Sequence, residues 1–151
     1  MRKNDLAPDF SLLDQDGSER TLSTLLLDGT VVLFFYPAAL SPGCTKESCH
    51  FRDRGAEFTH AGAHLVGVSM DAPERQAQFA LKHGLHYPLL ADVDGVVARL
   101  YGVKRSLSFL KVKRATFVID RHRRILEVIT SEVSMNAHAD RALATLRAQG
   151  D

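Results

Sequence analysis

Two runs of the chain, Val31-Val32-Leu33-Phe34-Phe35-Tyr36 and Leu65-Val66-Gly67-Val68-Ser69-Met70, are apolar almost without interruption. Runs of that length, rich in β-branched and aromatic residues, predict strands covered on both faces, as at the centre of an α/β sheet. A helical signal follows the second run. Asp71-Ala72-Pro73-Glu74 supplies a candidate cap, an early proline and a first-turn acid; Gln76, Phe79, Ala80 and His83 continue the pattern, and Gly84 stops it. The strand, helix, strand, helix rhythm predicts right-handed crossovers and parallel pairing.

The rest of the pattern frames that centre. Ala7 to Leu13 alternates and Asp14-Gln15-Asp16-Gly17-Ser18 is a turn cluster, so an N-terminal extended piece or hairpin is expected. Thr21 to Leu27 reads as a short helix, Tyr87 to Asp92 as a short strand, and Asp94 to Tyr101 as a short helix closed by Gly102. Ala115 to Ile119 and Ile125 to Thr130 read as an antiparallel pair around Asp120-Arg121-His122-Arg123-Arg124. From Asn136, a candidate N-cap, to Arg147, the apolar positions Ala139, Leu143 and Leu146 predict a C-terminal helix packed on the sheet. Arg105 to Lys113 alternates basic and apolar residues and reads as an exposed, mobile connection, whose Leu107-Ser108-Phe109-Leu110 stretch either seals an interface or lines a site.

Candidate chemistry lies after the first run. Pro37 ends the strand, Pro42 and Gly43 should keep the next turn from being helical, and Thr45-Lys46-Glu47-Ser48 with Phe51 and Phe58 resemble the polar opening and apolar face of a helix. Cys44 therefore falls in a first helical turn, just past the carboxyl end of a buried strand. Unpaired N–H groups there favour an anion, so the thiol is expected as thiolate, the nucleophilic form, with help from Lys46 and a more distant arginine. On one regular helix the Cα atoms of Cys44 and Cys49 would stand roughly 8.7 Å apart. A disulfide wants less than about 7 Å, so the pair can close only if the helix locally unwinds. Two other readings stand beside a redox pair: buried structural thiols, against which the polar setting of Thr45 to Ser48 argues, and a zinc site built from Cys44, Cys49 and His50, against which the lack of a further cysteine argues.

Composition narrows the class. The 151 residues are 45% hydrophobic and 25% charged, a length and balance suited to one globular domain over residues 1–151. A net charge of +1 favours neither nucleic acid nor an anionic membrane, and no apolar stretch approaches the roughly twenty residues of a membrane span. Met1-Arg2-Lys3-Asn4-Asp5 is followed by no signal-peptide core, which points to the cytoplasm. Two cysteines in a reducing compartment suit catalysis better than stapling, and no cofactor or metal is expected.

The segment from Phe35-Tyr36-Pro37 through Ser41-Pro42-Gly43-Cys44-Thr45 to Glu47 and Cys49 resembles the active-site segment of the peroxiredoxins, closest to the Q-type or bacterioferritin comigratory subfamily. Their pattern is Pro-x-x-x-Thr/Ser-x-x-Cys, usually with a second cysteine five residues on. The likeness extends to Ala7-Pro8-Asp9-Phe10, Val68-Ser69-Met70-Asp71, Tyr87 to Asp92 and Arg114 to Asp120. It implies a thioredoxin-like fold, a central mixed β-sheet flanked by helices with an N-terminal extension. The glycine that the family commonly carries in the 120–124 turn is missing, which suggests a different or looser turn.

The resemblance also implies a chemistry. Cys44 would attack hydrogen peroxide or an organic hydroperoxide and become a sulfenic acid, and Cys49 would resolve it as an intramolecular disulfide that a thioredoxin-like reductant resets. Ser41 would hydrogen-bond peroxide or thiolate, Pro37 would shield the thiolate, Arg114 would contact thiolate and substrate, and the backbone N–H groups of Gly43 and Cys44 would complete the site. Read without the family, Ser41 is a loop serine capping its own turn, Pro37 a strand terminator and Arg114 one more basic residue of a solvated cluster. Glu47 is either a helix acid near the N-terminal dipole or a partner for the arginine. Subfamily members are monomers or dimers, so a monomer or weak homodimer is expected. The competing class is a thioredoxin-like disulfide oxidoreductase or redox-sensing binding protein, although the Cys-x-x-Cys spacing of disulfide exchangers is absent.

Overall fold

A computed structural model describes residues 1–105 and 111–150. In chain order the elements are β1 (Ser11–Leu13), β2 (Glu19–Thr21), α1 (Leu22–Leu25) running into a 3-10 turn at Leu26–Asp28, β3 (Thr30–Phe35), α2 (Pro42–Asp53), α3 (Gly55–His60), β4 (Ala63–Ser69), α4 (Pro73–His83), β5 (Leu89–Ala91), α5 (Val96–Leu100), β6 (Ala115–Ile119), β7 (Ile125–Thr130) and α6 (Asn136–Gly150). The strands form one mixed sheet in the order β2-β1-β5-β4-β3-β6-β7. β3 and β4 pair in parallel, as do β4 and β5, while β6 and β7 add antiparallel on the far side of β3. The expected N-terminal hairpin is β1 with β2, joined to β5 at Leu13 and Ala91.

The continuous apolar run of β3 is explained by what covers it. Val31, Leu33 and Phe35 point into a core shared with Ala7, Phe10, Leu22, Val97 and Tyr101, and Val32, Phe34 and Tyr36 point into a second core with residues of α2, α3, α4 and α6. Alternate side chains of a strand face opposite ways, so helices on both faces demand apolar residues at every position. Phe34 stacks on Phe51 of α2 at 4.3 Å between ring centroids, which seats α2 directly over β3. The C-terminal helix packs as expected, with Ala139, Leu143 and Leu146 buried.

Several local expectations are corrected. Pro42 does not delay the helix; it opens α2 as a first-turn residue, where its missing N–H costs nothing. Asp71 does not cap α4, whose cap is Ala72; its carboxylate accepts from the backbone of Ala39 and the hydroxyl of Ser69. Asn136 lies inside α6 rather than ahead of it. The 105–113 segment is not simply an exposed connection, since its flanks pair through Lys104 with Val112 and through the Lys113 amide and the Val103 carbonyl, and Val112 is buried. Leu107-Ser108-Phe109-Leu110 lies outside the described residues.

The glycine missing from the β6–β7 turn is replaced by Arg123, held at φ 62°. Asp120 steadies this turn by accepting from the amides of His122 and Arg124. A left-handed non-glycine residue costs about 1 kcal/mol. Arg123→Gly is therefore expected to stabilise the protein by up to that amount, read as a higher urea midpoint; a lower midpoint would show that the arginine side chain outweighs the strain.

Candidate active site

The site forms where β3 gives way to α2. β3 ends at Phe35, and Tyr36 donates its amide to Val68 before the chain turns through Pro37, Ala38, Ala39 and Leu40. Two hydrogen bonds and one left-handed residue fix this loop. The Ala39 amide donates to the Asp71 carboxylate at 2.7 Å, the Ser41 hydroxyl donates to the Ala38 carbonyl at 2.8 Å, and Leu40 sits at φ 68°. Beneath it the buried Tyr36 hydroxyl donates to Gln76, whose side-chain amide donates to Ser69 and to the Leu90 carbonyl. The loop that delivers the chain to Cys44 is thereby tied to β4, α4 and β5.

Cys44 is the third residue of α2 and is fully buried; Cys49 is half-buried on the same continuous helix, and both are free thiols. The first paired amide of α2 is that of Thr45, which donates to the Ser41 carbonyl at 2.9 Å. The amides of Gly43 and Cys44, ahead of it, are the unpaired donors that every helix start leaves. Arg114, just before β6 and 6% exposed, reaches the same point: its Nη2 donates to Cys44 Sγ at 3.3 Å. Gly43 leaves room for this approach, because a Cβ there would stand 3.3 Å from Nη2.

The other end of the guanidinium donates through Nη1 to Glu47 Oε1 at 2.8 Å. Glu47 is fully buried, and burial pushes its carboxyl up to about 7 against the downward pull of Arg114. Its second oxygen, Oε2, is buried without a hydrogen-bond partner among the described residues and lies 3.5 Å from Nδ1 of the buried His138. The polarity of Thr45 to Ser48 does not therefore mean exposure: Cys44, Glu47 and Ser48 are all buried, and it is Arg114 that makes burial of the acid tolerable. Lys46 is exposed, so the cation at the thiol is the arginine alone among the described contacts of Cys44.

Of the residues singled out from the sequence, Cys44, Gly43 and Arg114 converge. Ser41 is adjacent, with its hydroxyl spent on its own loop, and Pro37 is half-buried at the end of β3. Cys49 is carried one and a half turns along α2 from Cys44. Near it the Tyr87 hydroxyl donates to the Ser48 carbonyl at 2.8 Å, and at the far end of α2 His50 and Arg54 both meet Asp140 of α6. Among the described residues no three metal-binding side chains come together. A cavity of about 490 Å³ opens elsewhere, between Arg20, Arg52, His64 and His86, and contains none of the converging residues. His138 escaped notice in the sequence, although it recurs with Ala142 and Leu146 at the four-residue spacing of the buried stripe of α6.

The chain matches the AhpC/TSA family over residues 4–128. It is 57% identical to a crystal structure of peroxidoxin BcpB from Mycobacterium tuberculosis, with a TM-score of 0.94 over 98% of this chain and 97% of the other. It is 37% identical over 143 residues to peroxiredoxin Bcp of Escherichia coli, covering 91% of each chain. Peroxiredoxin Q of Xanthomonas campestris superposes with a TM-score of 0.86 at 30% identity, over 94% and 92% of the two chains. The mixed sheet flanked by helices is the thioredoxin-like fold of these neighbours.

Proposed function

The chain belongs to the AhpC/TSA family and is a thiol-dependent peroxidase, and from that premise we propose that Cys44 is its peroxide-reacting thiol, within one domain spanning residues 1–151. The observation that carries the assignment is the 3.3 Å contact of Arg114 Nη2 with Cys44 Sγ at the opening turn of α2. There the guanidinium and the unpaired amides of Gly43 and Cys44 converge on one small volume, suited to a thiolate and to the charge that develops on a leaving oxygen.

The Cys44 thiolate attacks the terminal oxygen of the peroxide along the O–O axis. An S–O bond forms, the O–O bond breaks, and the electron pair leaves on the distal oxygen, which takes up a proton and departs as water or an alcohol. Ser41 turns its hydroxyl from the Ala38 carbonyl to the peroxide, and Pro37 shields the thiolate from the strand side. Cys49 then attacks the sulfenic sulfur, expelling water and closing a disulfide, after α2 has unwound between the two cysteines. A thioredoxin-like dithiol reduces that disulfide. No described helix is long and apolar enough to cross a membrane; the proposed chemistry suits a reducing compartment such as the cytoplasm, with the protein a monomer or weak homodimer.

One equivalent of hydrogen peroxide is expected to convert the reduced protein to a species lighter by two hydrogens, seen by intact mass. In Cys49→Ser the same treatment should give a sulfenic acid trappable by dimedone, with no turnover by thioredoxin. Peroxide-resistant thiols in the wild type, together with activity in a disulfide exchange assay, would overturn the assignment. Unchanged thioredoxin-driven turnover in Cys49→Ser would remove Cys49 from the resolving step.

A further inference from the structure

His138 is buried in the first turn of α6, and three groups surround its ring. Nε2 lies 2.9 Å from the Ser131 carbonyl, Nδ1 lies 2.8 Å from the Thr116 hydroxyl, and Nδ1 lies 3.5 Å from Glu47 Oε2. A carbonyl can only accept, so Nε2 carries the proton, and in the neutral ring Nδ1 accepts from Thr116. In that state the one lone pair of Nδ1 is engaged by Thr116 and the ring has no proton on that side, so Nδ1 repels, and does not bond, the Glu47 oxygen that lacks a hydrogen-bond partner among the described residues.

We infer that His138 is a positioning residue of the peroxide site, which with Thr116 confines the Glu47 carboxylate so that Oε1 faces Arg114 and the guanidinium keeps Nη2 for Cys44. The inference rests on Cys44 being the reacting thiol. The chain of contacts has no slack: Arg114 spans Glu47 and Cys44 with separate nitrogens, Thr116 lies two residues beyond Arg114 on the strand that follows, and Glu47 lies one turn of α2 from Cys44. If Glu47 swung toward His138, the fork of Arg114 would follow it and leave the sulfur. Outer partners that orient the groups of a reactive centre typically cost 10–100-fold when removed. Besides Arg114, the other charged groups that bear on the pair are Glu132 after β7 and Arg141 on α6, and burial holds the His138 ring below its usual range, favouring the neutral form.

His138→Leu fills the site without a nitrogen, and His138→Asn keeps an amide near the position of Nδ1. Stopped-flow oxidation of Cys44, normalised to titratable thiol, is expected to be about tenfold slower in His138→Leu, with an altered rate–pH curve, and restored to within about threefold by asparagine. An unchanged rate and pH curve in His138→Leu overturns the inference while leaving Cys44 as the reacting thiol; a wild type that fails to react with peroxide defeats the underlying assignment instead. Should His138→Leu not fold, ring 15N shifts of His138 in Cys49→Ser, before and after one equivalent of peroxide, take its place. Nδ1 is expected to move when Cys44 becomes a sulfenic acid while Nε2 stays protonated, and an Nδ1 signal blind to Cys44 oxidation overturns the inference.

Discussion

Arg114→Ala is expected to slow the reaction of Cys44 with hydrogen peroxide by about 10²–10³-fold, the loss typical of removing one donor from a preorganised anion site. The same guanidinium bonds Cys44 Sγ and Glu47 Oε1, so its removal does two things at once. The sulfur loses its charge-assisted donor. Glu47 loses its only hydrogen-bonded partner among the described residues and is left as a buried acid without that cation, which destabilises the fold by about 3–5 kcal/mol if it stays charged. Neutralisation of Glu47 blunts that cost, since its carboxyl is already raised to about 7. Arg114→Lys separates the effects: it retains a positive charge but has one nitrogen where the arginine has a fork. Lysine is expected to recover most of the stability and only part of the rate. Stopped-flow rates with urea unfolding of all three proteins check this, and a rate in Arg114→Ala within threefold of wild type would remove the guanidinium from the chemistry.

The distribution of these effects along the chain explains what was legible in the sequence. β3 and β4 were plain because residues in the middle of a doubly covered sheet must all be apolar, and Cys44 at a helix start was plain because strand, turn and helix are consecutive. The partners of Cys44 were not. Arg114 is 70 residues away and Glu47 pairs with it across 67. Local pattern sees a basic cluster and a polar helix turn, and only the resemblance to a family singled out the arginine. The pairing of Glu47 with the arginine was one of two readings, and it too came from the resemblance; His138 was hidden, because it is a polar residue buried by partners from other elements and a single sequence records the polarity without the partner. Asp71 was misread because a carboxylate two residues ahead of a proline suits a cap, whereas tertiary contact gives it the Ala39 amide, and with it the loop that leads to Cys44. The opening of α2 at Pro42 was misread because proline both stops and starts helices, and the direction was settled by Leu40, which turns the chain with φ 68°.

The second large effect concerns how α2 opens. Residues 44 to 49 must unwind for the two cysteines to meet, and Glu47 lies between them, so opening takes its carboxyl out of the pocket and into water. In the closed helix burial sets that carboxyl at about 7, and once hydrated it returns to about 4.5. A group whose folded value is raised favours the closed state fully below its unfolded value, and that advantage is lost as pH rises through the folded one. Opening of α2 is therefore expected to become easier between about pH 4.5 and 7, by up to roughly 300-fold or about 3 kcal/mol, and to level off above that. His138 responds with the opposite sign, since burial lowers its value and costs stability as pH falls, but it belongs to α6, outside the residues that must unwind. Hydrogen exchange at the α2 amides, corrected for intrinsic rates and measured in Cys44→Ser to remove the thiol, isolates the contribution of Glu47. The opening constant is expected to rise over that window in Cys44→Ser and to be flat once Glu47→Gln is added. A flat profile in both would mean that Glu47 stays paired with Arg114 while the helix unwinds around it. The functional consequence follows from the same equilibrium: at acid pH the closed helix keeps Cys44 presented to peroxide and holds Cys49 back, so a sulfenic acid formed there persists longer before resolution.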